Sequence, residues 1–148
     1  MKNTFFIPLL FLFINAHGQN SKDSIAIQLV LEKESATWRS GDIKGHADCW
    51  AIRPYSKVLV STGDGTVLDI PPTVMINPPA NAMGNGGSSV NSNYKMSIHG
   101  KNAWVSHNEA STAKDGKVTQ SYEIRILEKI KGHWKLVGQS IHTYKSQN

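Results

Sequence analysis

Ser121–Tyr144, SYEIRILEKIKGHWKLVGQSIHTY, reads as two long strands joined by a tight turn at Lys131-Gly132-His133. Tyr122, Ile124 and Ile126 alternate along the first half, and Trp134 and Leu136 along the second. Period-two alternation of this length is the signature of half-buried antiparallel strands. The two faces of such a hairpin carry different chemistry, so one of them can line a cavity.

Working back from the hairpin, Tyr94–His99 and Ala103–Thr112 read as further strands, turned at Gly100-Lys101-Asn102. Asp115-Gly116 turns the chain into Val118–Lys129, which completes a four-strand meander. Lys57–Ser61 and Thr66–Ile70 flank Thr62-Gly63-Asp64-Gly65 and predict a separate hairpin. Between them, Pro71–Asn93 holds four prolines, three glycines and many small polar residues. It reads as a long loop whose Val74, Met75, Ile76 and Met83 give it apolar groups to pack over a cavity mouth. Ser21–Ser40 predicts a helix with Ile27, Val30, Leu31 and Trp38 on one face, and Gly41 suits its C-terminal stop. Asp42 can cap a short second helix with Ile43, Ala47 and Trp50 on one face, ended before Pro54.

The chain opens with Lys2 and an apolar run, Phe5–Ile14, too short to span a bilayer. With small residues at Ala16 and Gly18, residues 1–18 read as a signal peptide cleaved near Gly18, leaving a domain over 19–148 in a secreted or periplasmic setting. No cysteine stands next to the apolar run at the expected cleavage site, so no lipid-linked or other stable membrane anchor is expected. The single Cys49 permits no internal disulfide and is expected as a small buried hydrophobe. The 16 basic and 11 acidic residues leave a net charge of +5, scattered without a basic-aromatic block, which argues against nucleic acid. Metal-ligand spacing, a phosphate-cradling glycine loop and a serine elbow are all missing, so neither metal nor cofactor is expected.

The order helix, helix, hairpin, loop, meander is α+β, with helices on one side of a curved antiparallel sheet. Three segments carry a family resemblance: Trp38-Arg39-Ser40-Gly41-Asp42, Gly100-Lys101-Asn102-Ala103-Trp104-Val105, and Arg125–Lys129 with Gly132–Val137. On these the chain resembles the nuclear transport factor 2-like superfamily, which includes SnoaL-like cyclases and ketosteroid isomerase. The resemblance implies a cone with an internal pocket, and a homodimer through the outer sheet face. It does not settle activity, because this fold hosts isomerases, cyclases, dehydratases and non-catalytic binding modules. No aspartate here matches the aspartate base of such enzymes, and Ser140-Ile141-His142 reverses the His-then-Ser order of many relatives.

The leading expectation is a small-molecule-binding domain whose ligand touches Trp38, Trp50, Tyr55, Trp104, Tyr122, Arg125 and His142. The alternative is an isomerase, cyclase or dehydratase in which His107 and Glu109, on one strand face, work as an acid–base pair. A third is an envelope interaction protein using the sheet surface. Glu123 and Arg125 also share a face; they are expected first as an exposed surface pair, and alternatively, inside a pocket, as groups that orient an anionic ligand.

Overall fold

The structure, a computed structural model, describes residues 16–79 and 81–145, with side chains from Lys22 onward. The expected leader, residues 1–18, falls outside them up to Asn15. Helix α1, Ala16–Ser40, starts five residues before the predicted Ser21. Asp42 caps α2, Ile43–Ala47, by accepting from the Gly45 amide at 2.9 Å. Six strands follow: β1 Lys57–Ser61, β2 Val67–Ile70, β3 Gly87–His99, β4 Asn102–Ala113, β5 Val118–Ile130 and β6 His133–Tyr144.

They form one curved sheet in the order β2-β1-β6-β5-β4-β3. Every pairing is antiparallel except β1 with β6. The helices cover the concave side, so the predicted α+β architecture is observed. Ile27 and Leu31 of α1 meet Val58, Val105, Leu127, Trp134 and Leu136 in a buried core. Trp50 does not extend α2. It lies beside Leu136 as a short parallel bridge, and Ile43 is exposed.

One register break in the closing hairpin sets the phase of the cavity wall. Ile126 pairs with Gly138 but Leu127 pairs with Leu136, so Val137 is an extra residue. Trp134 and Leu136 therefore face inward before the bulge, and Gln139, Ile141 and Thr143 face inward after it.

The predicted loop over 71–93 is shorter than expected. Pro72–Met75 forms a 3₁₀ turn, and residues 87–93 already belong to β3. The glycines between have a specific task. The amides of Gly84 and Gly86 donate to the Trp38 and Arg39 carbonyls at 3.0 and 2.8 Å, satisfying acceptors that the end of α1 leaves open. A Cβ on Gly84 would stand 2.6 Å from the Arg39 carbonyl oxygen.

Gly84→Ala should therefore cost about 1–3 kcal/mol in urea unfolding. Gly63→Ala, whose Cβ would meet nothing nearer than 3.9 Å, should change stability by less than about 0.5 kcal/mol. Equal costs at both positions would refute this account of the loop.

Candidate functional site

Between α1, the 3₁₀ turn and the concave sheet lies a cavity of about 370 Å³. Its two walls differ. Val60, Ile70, Val74, Met75 and Ile141 supply an apolar wall, while Glu109, Ser121, Glu123, Arg125 and Gln139 supply a polar one. Trp38 and Arg39 border it from the end of α1. The apolar residues expected to fold a loop over the cavity do so in part, since Val74 and Met75 line it and Ile76 is exposed.

The polar wall follows from strand parity. Val105, His107 and Glu109 point inward on β4, as do Ser121, Glu123, Arg125 and Leu127 on β5. Arg125 is 3% exposed. It donates to Glu123 on its own strand and to Gln139 across β6, and Glu34 Oε2 of α1 lies 3.3 Å away. Its guanidinium is thus held by two carboxylates and an amide, as a buried charge requires. Burial alone would lower its pKa, but Glu123, Glu34 and Glu109 outweigh that and push it up. Glu123 also accepts from Ser121 Oγ at 2.7 Å. Burial pushes this carboxyl up, yet the Arg125 charge and the hydrogen bonds from Ser121 and Arg125 hold it below its ordinary value.

The network continues into both flanks. Glu34 Oε1 accepts from the Trp50 indole at 3.3 Å and lies 3.7 Å from His46 Nε2. His107 Nε2 lies 3.6 Å from Glu123 Oε2, and its ring stacks on Tyr94 with centroids 5.3 Å apart. His107 has no exposed surface. Burial and the Arg125 charge lower its pKa, against the opposing pull of Glu123, which favours neutral imidazole.

Glu109 stands apart from its two fellow carboxylates. It accepts from Ser35 Oγ at 2.6 Å, but its contact to Arg39 is long, at 3.5 Å. Burial and the neighbouring Glu123 charge raise its pKa, with Ser35, Arg125 and Arg39 opposing. A buried carboxyl with a raised pKa on a cavity wall keeps its proton to higher pH than a free one and can serve as an acid or a base.

The residues predicted for the site fall into three groups. Glu109, Trp38 and Arg125 line the cavity. His107 and Trp50 are buried behind the wall and reach it through Glu123 and Glu34. Tyr55, Trp104, Tyr122 and His142 do not line it. Tyr55 is exposed and donates to Glu128, and Trp104 and Tyr122 take the opposite strand parity from Glu109 and Glu123. His142 would share the phase of Trp134 on a regular strand. The bulge at Val137 turns it outward, where Nε2 lies 2.9 Å from Ser140 Oγ. The Glu123–Arg125 pair is buried and not on the surface as expected, because it shares the inward parity of Leu127. Cys49 is buried and free, and burial lifts its thiol to about 11, which makes it a poor nucleophile at neutral pH.

Glu34, Ser35, Arg39 and Gln139 were not singled out from the sequence. Glu34, Ser35 and Trp38 follow Leu31 at helical spacing, so polar groups on the apolar stripe of α1 were the available signal. For Gln139 the available signal was Gly138, an isolated glycine inside a strand pattern, which marks the bulge that turns Gln139 inward.

Neither a family model nor a curated protein sequence matches the chain. Solved structures do. It is similar to a nuclear transport factor 2-like protein of unknown function from Shewanella baltica, with 17% identity, TM-score 0.64, and coverage of 85% of this chain and 97% of the other. A Nostoc punctiforme protein of unknown function, described as having a cystatin-like fold, is 13% identical at TM-score 0.65, covering 85% and 94%. A nuclear transport factor 2-like protein from Cytophaga hutchinsonii is 14% identical at TM-score 0.58, covering 80% and 96%. The chain therefore has the nuclear transport factor 2-like fold.

The state of Glu109 is open to direct measurement. A raised folded pKa makes its contribution to stability full below the ordinary value of 4.5, and that contribution falls as pH rises above it. Glu109→Gln should therefore gain stability over the parent chain as pH goes from 4 to 7 in urea unfolding. A difference that stays constant across this range would show that the carboxyl is not perturbed.

Proposed function

We propose that this protein is an exported domain that holds a small, partly apolar molecule in the cone cavity. The observation that carries the reading is a cavity that the domain's own side chains leave open, apolar on one wall and polar on the other. Sites of this kind bury the body of a ligand against aliphatic groups and orient it with a few polar ones. The 370 Å³ volume lies at the lower end of the usual range, which suits a compact ligand.

Native mass spectrometry of the protein from its producing cell tests the reading. The expected species begins at Gln19 and carries a non-covalent ligand. Met75→Trp, which fills the cavity from the 3₁₀ turn, should release that ligand while the fold is retained by circular dichroism. A parent chain that carries nothing, and whose melting temperature no small apolar compound raises, would sink the proposal.

A second reading is favoured by Glu109. A perturbed carboxyl on a cavity wall, beside Ser35 and Arg39, is the arrangement of a general acid–base group. In that reading Glu109 exchanges a proton with the bound molecule. Glu123 and Arg125 set the local field, and His107 acts only through Glu123. Glu109→Gln would then abolish turnover but leave ligand retention intact.

We further propose that a second copy of the chain covers the outer sheet face. Trp104, Tyr122, Ile124 and Ile126 lie exposed on adjoining strands, an apolar surface of the kind that marks association. Sedimentation velocity should show a dimer that Trp104→Asp converts to monomer, and a monomeric parent would refute this.

A further inference from the structure

The net charge of the chain is concentrated at one end of the cone. Two neighbouring clefts meet at the β5–β6 turn and share Lys129. The first, against α1, is lined by Lys22, Lys33, Lys129 and Lys135. The second, against the β3–β4 turn, adds Arg53, Lys101 and Lys131. With Asp23, Asp48 and Glu128 as the acidic members, the two linings hold seven basic and three acidic residues, a net +4 out of the +5 of the whole chain. Two of those acids are already engaged, Asp23 with Lys129 and Glu128 with Arg53. Lys22, Lys33, Lys101 and Lys131 lie at the surface and enter no ion pair among the described residues.

Apolar side chains adjoin the same end. Ile25 and Leu29 are 61% and 60% exposed. They sit between Lys22 and Lys33 at helical spacing, so one outward stripe of α1 reads Lys, Ile, Leu, Lys. A soluble polyanion would use the lysines alone. An interface of anionic headgroups over acyl chains uses both, with the cations at headgroup depth and the leucine and isoleucine just beneath them. Among the described residues no helix is long and apolar enough to cross a membrane.

We propose that the basic end of the cone, made by α1 and the β3–β4 and β5–β6 turns, docks on an anionic phospholipid surface, with Ile25 and Leu29 entering the headgroup boundary. The cavity, lined from α1 by Glu34, Ser35, Trp38 and Arg39, shares no lining residue with either cleft, so docking leaves it open. The inference is independent of what the cavity holds.

Vesicle flotation tests it, using the full chain in whichever processed form the cell yields. Binding is expected to vesicles containing phosphatidylglycerol, at least tenfold weaker to phosphatidylcholine alone, and to fall as salt is raised. The triple variant Lys33→Glu, Lys101→Glu, Lys131→Glu should lose at least tenfold in affinity. The control triple Lys95→Glu, Lys114→Glu, Lys117→Glu, with the same charge change elsewhere, should lose less than threefold. Ile25→Ser with Leu29→Ser should weaken vesicle binding and leave retention on heparin unchanged. Circular dichroism and melting temperature confirm that each variant is folded. Equal loss in both triples, equal binding to the two lipids, or heparin binding without vesicle binding would each overturn the proposal.

Discussion

A guanidinium placed inside a small domain constrains everything around it. Arg125 is 3% exposed, and an uncompensated charge at that depth would cost several kcal/mol. It is compensated from three directions: Glu123 beside it on β5, Gln139 opposite on β6, and Glu34 from α1. Those contacts tie the helix to the middle of the sheet. They also fix which residues face the cavity, because a strand that turns Arg125 inward must turn Glu123 and Leu127 inward with it.

The same parity decides the opposite face. With Glu109, Glu123 and Arg125 inside, Trp104, Tyr122, Ile124 and Ile126 must stand outside. The usual hydrophobic-in, polar-out reading of a half-buried strand is thus inverted over the middle of β4 and β5. The core proper is displaced toward the turn end of the sheet, where Val105, Leu127, Trp134 and Leu136 pack under Ile27 and Leu31. The polar half encloses space and the apolar half fills it.

This inversion explains what could and could not be read from the sequence. The meander, the β1–β2 hairpin, both helices and the α+β layering followed from periodicity, turn glycines and caps, and each is present. The inward aim of His107 and Glu109 was legible as a shared face, but not as a choice between faces. Alternation identifies two faces without saying which one the helices cover. Aromatic size suggested Trp104 and Tyr122 for the cavity, and burial of the Arg125 network overrode it. His142 and Gln139 exchanged roles for a different reason. One extra residue at Val137 shifts the phase of β6, and although Gly138 beside it marks a bulge, alternation alone does not say which of the following residues it turns inward.

The division of charge gives the last step. Inside, Arg125 and Arg39 stand against Glu34, Glu109 and Glu123, so one carboxylate exceeds the cations available to it. Glu34 and Glu123 share Arg125 at close range, whereas Glu109 has only the long contact to Arg39. The excess therefore falls on Glu109, and protonation relieves it at lower cost than moving a second arginine into the core. A molecule that donated a hydrogen bond to Glu109 would ease it in part. The polar wall that supports the first proposed reading of the cavity thus also supports the second.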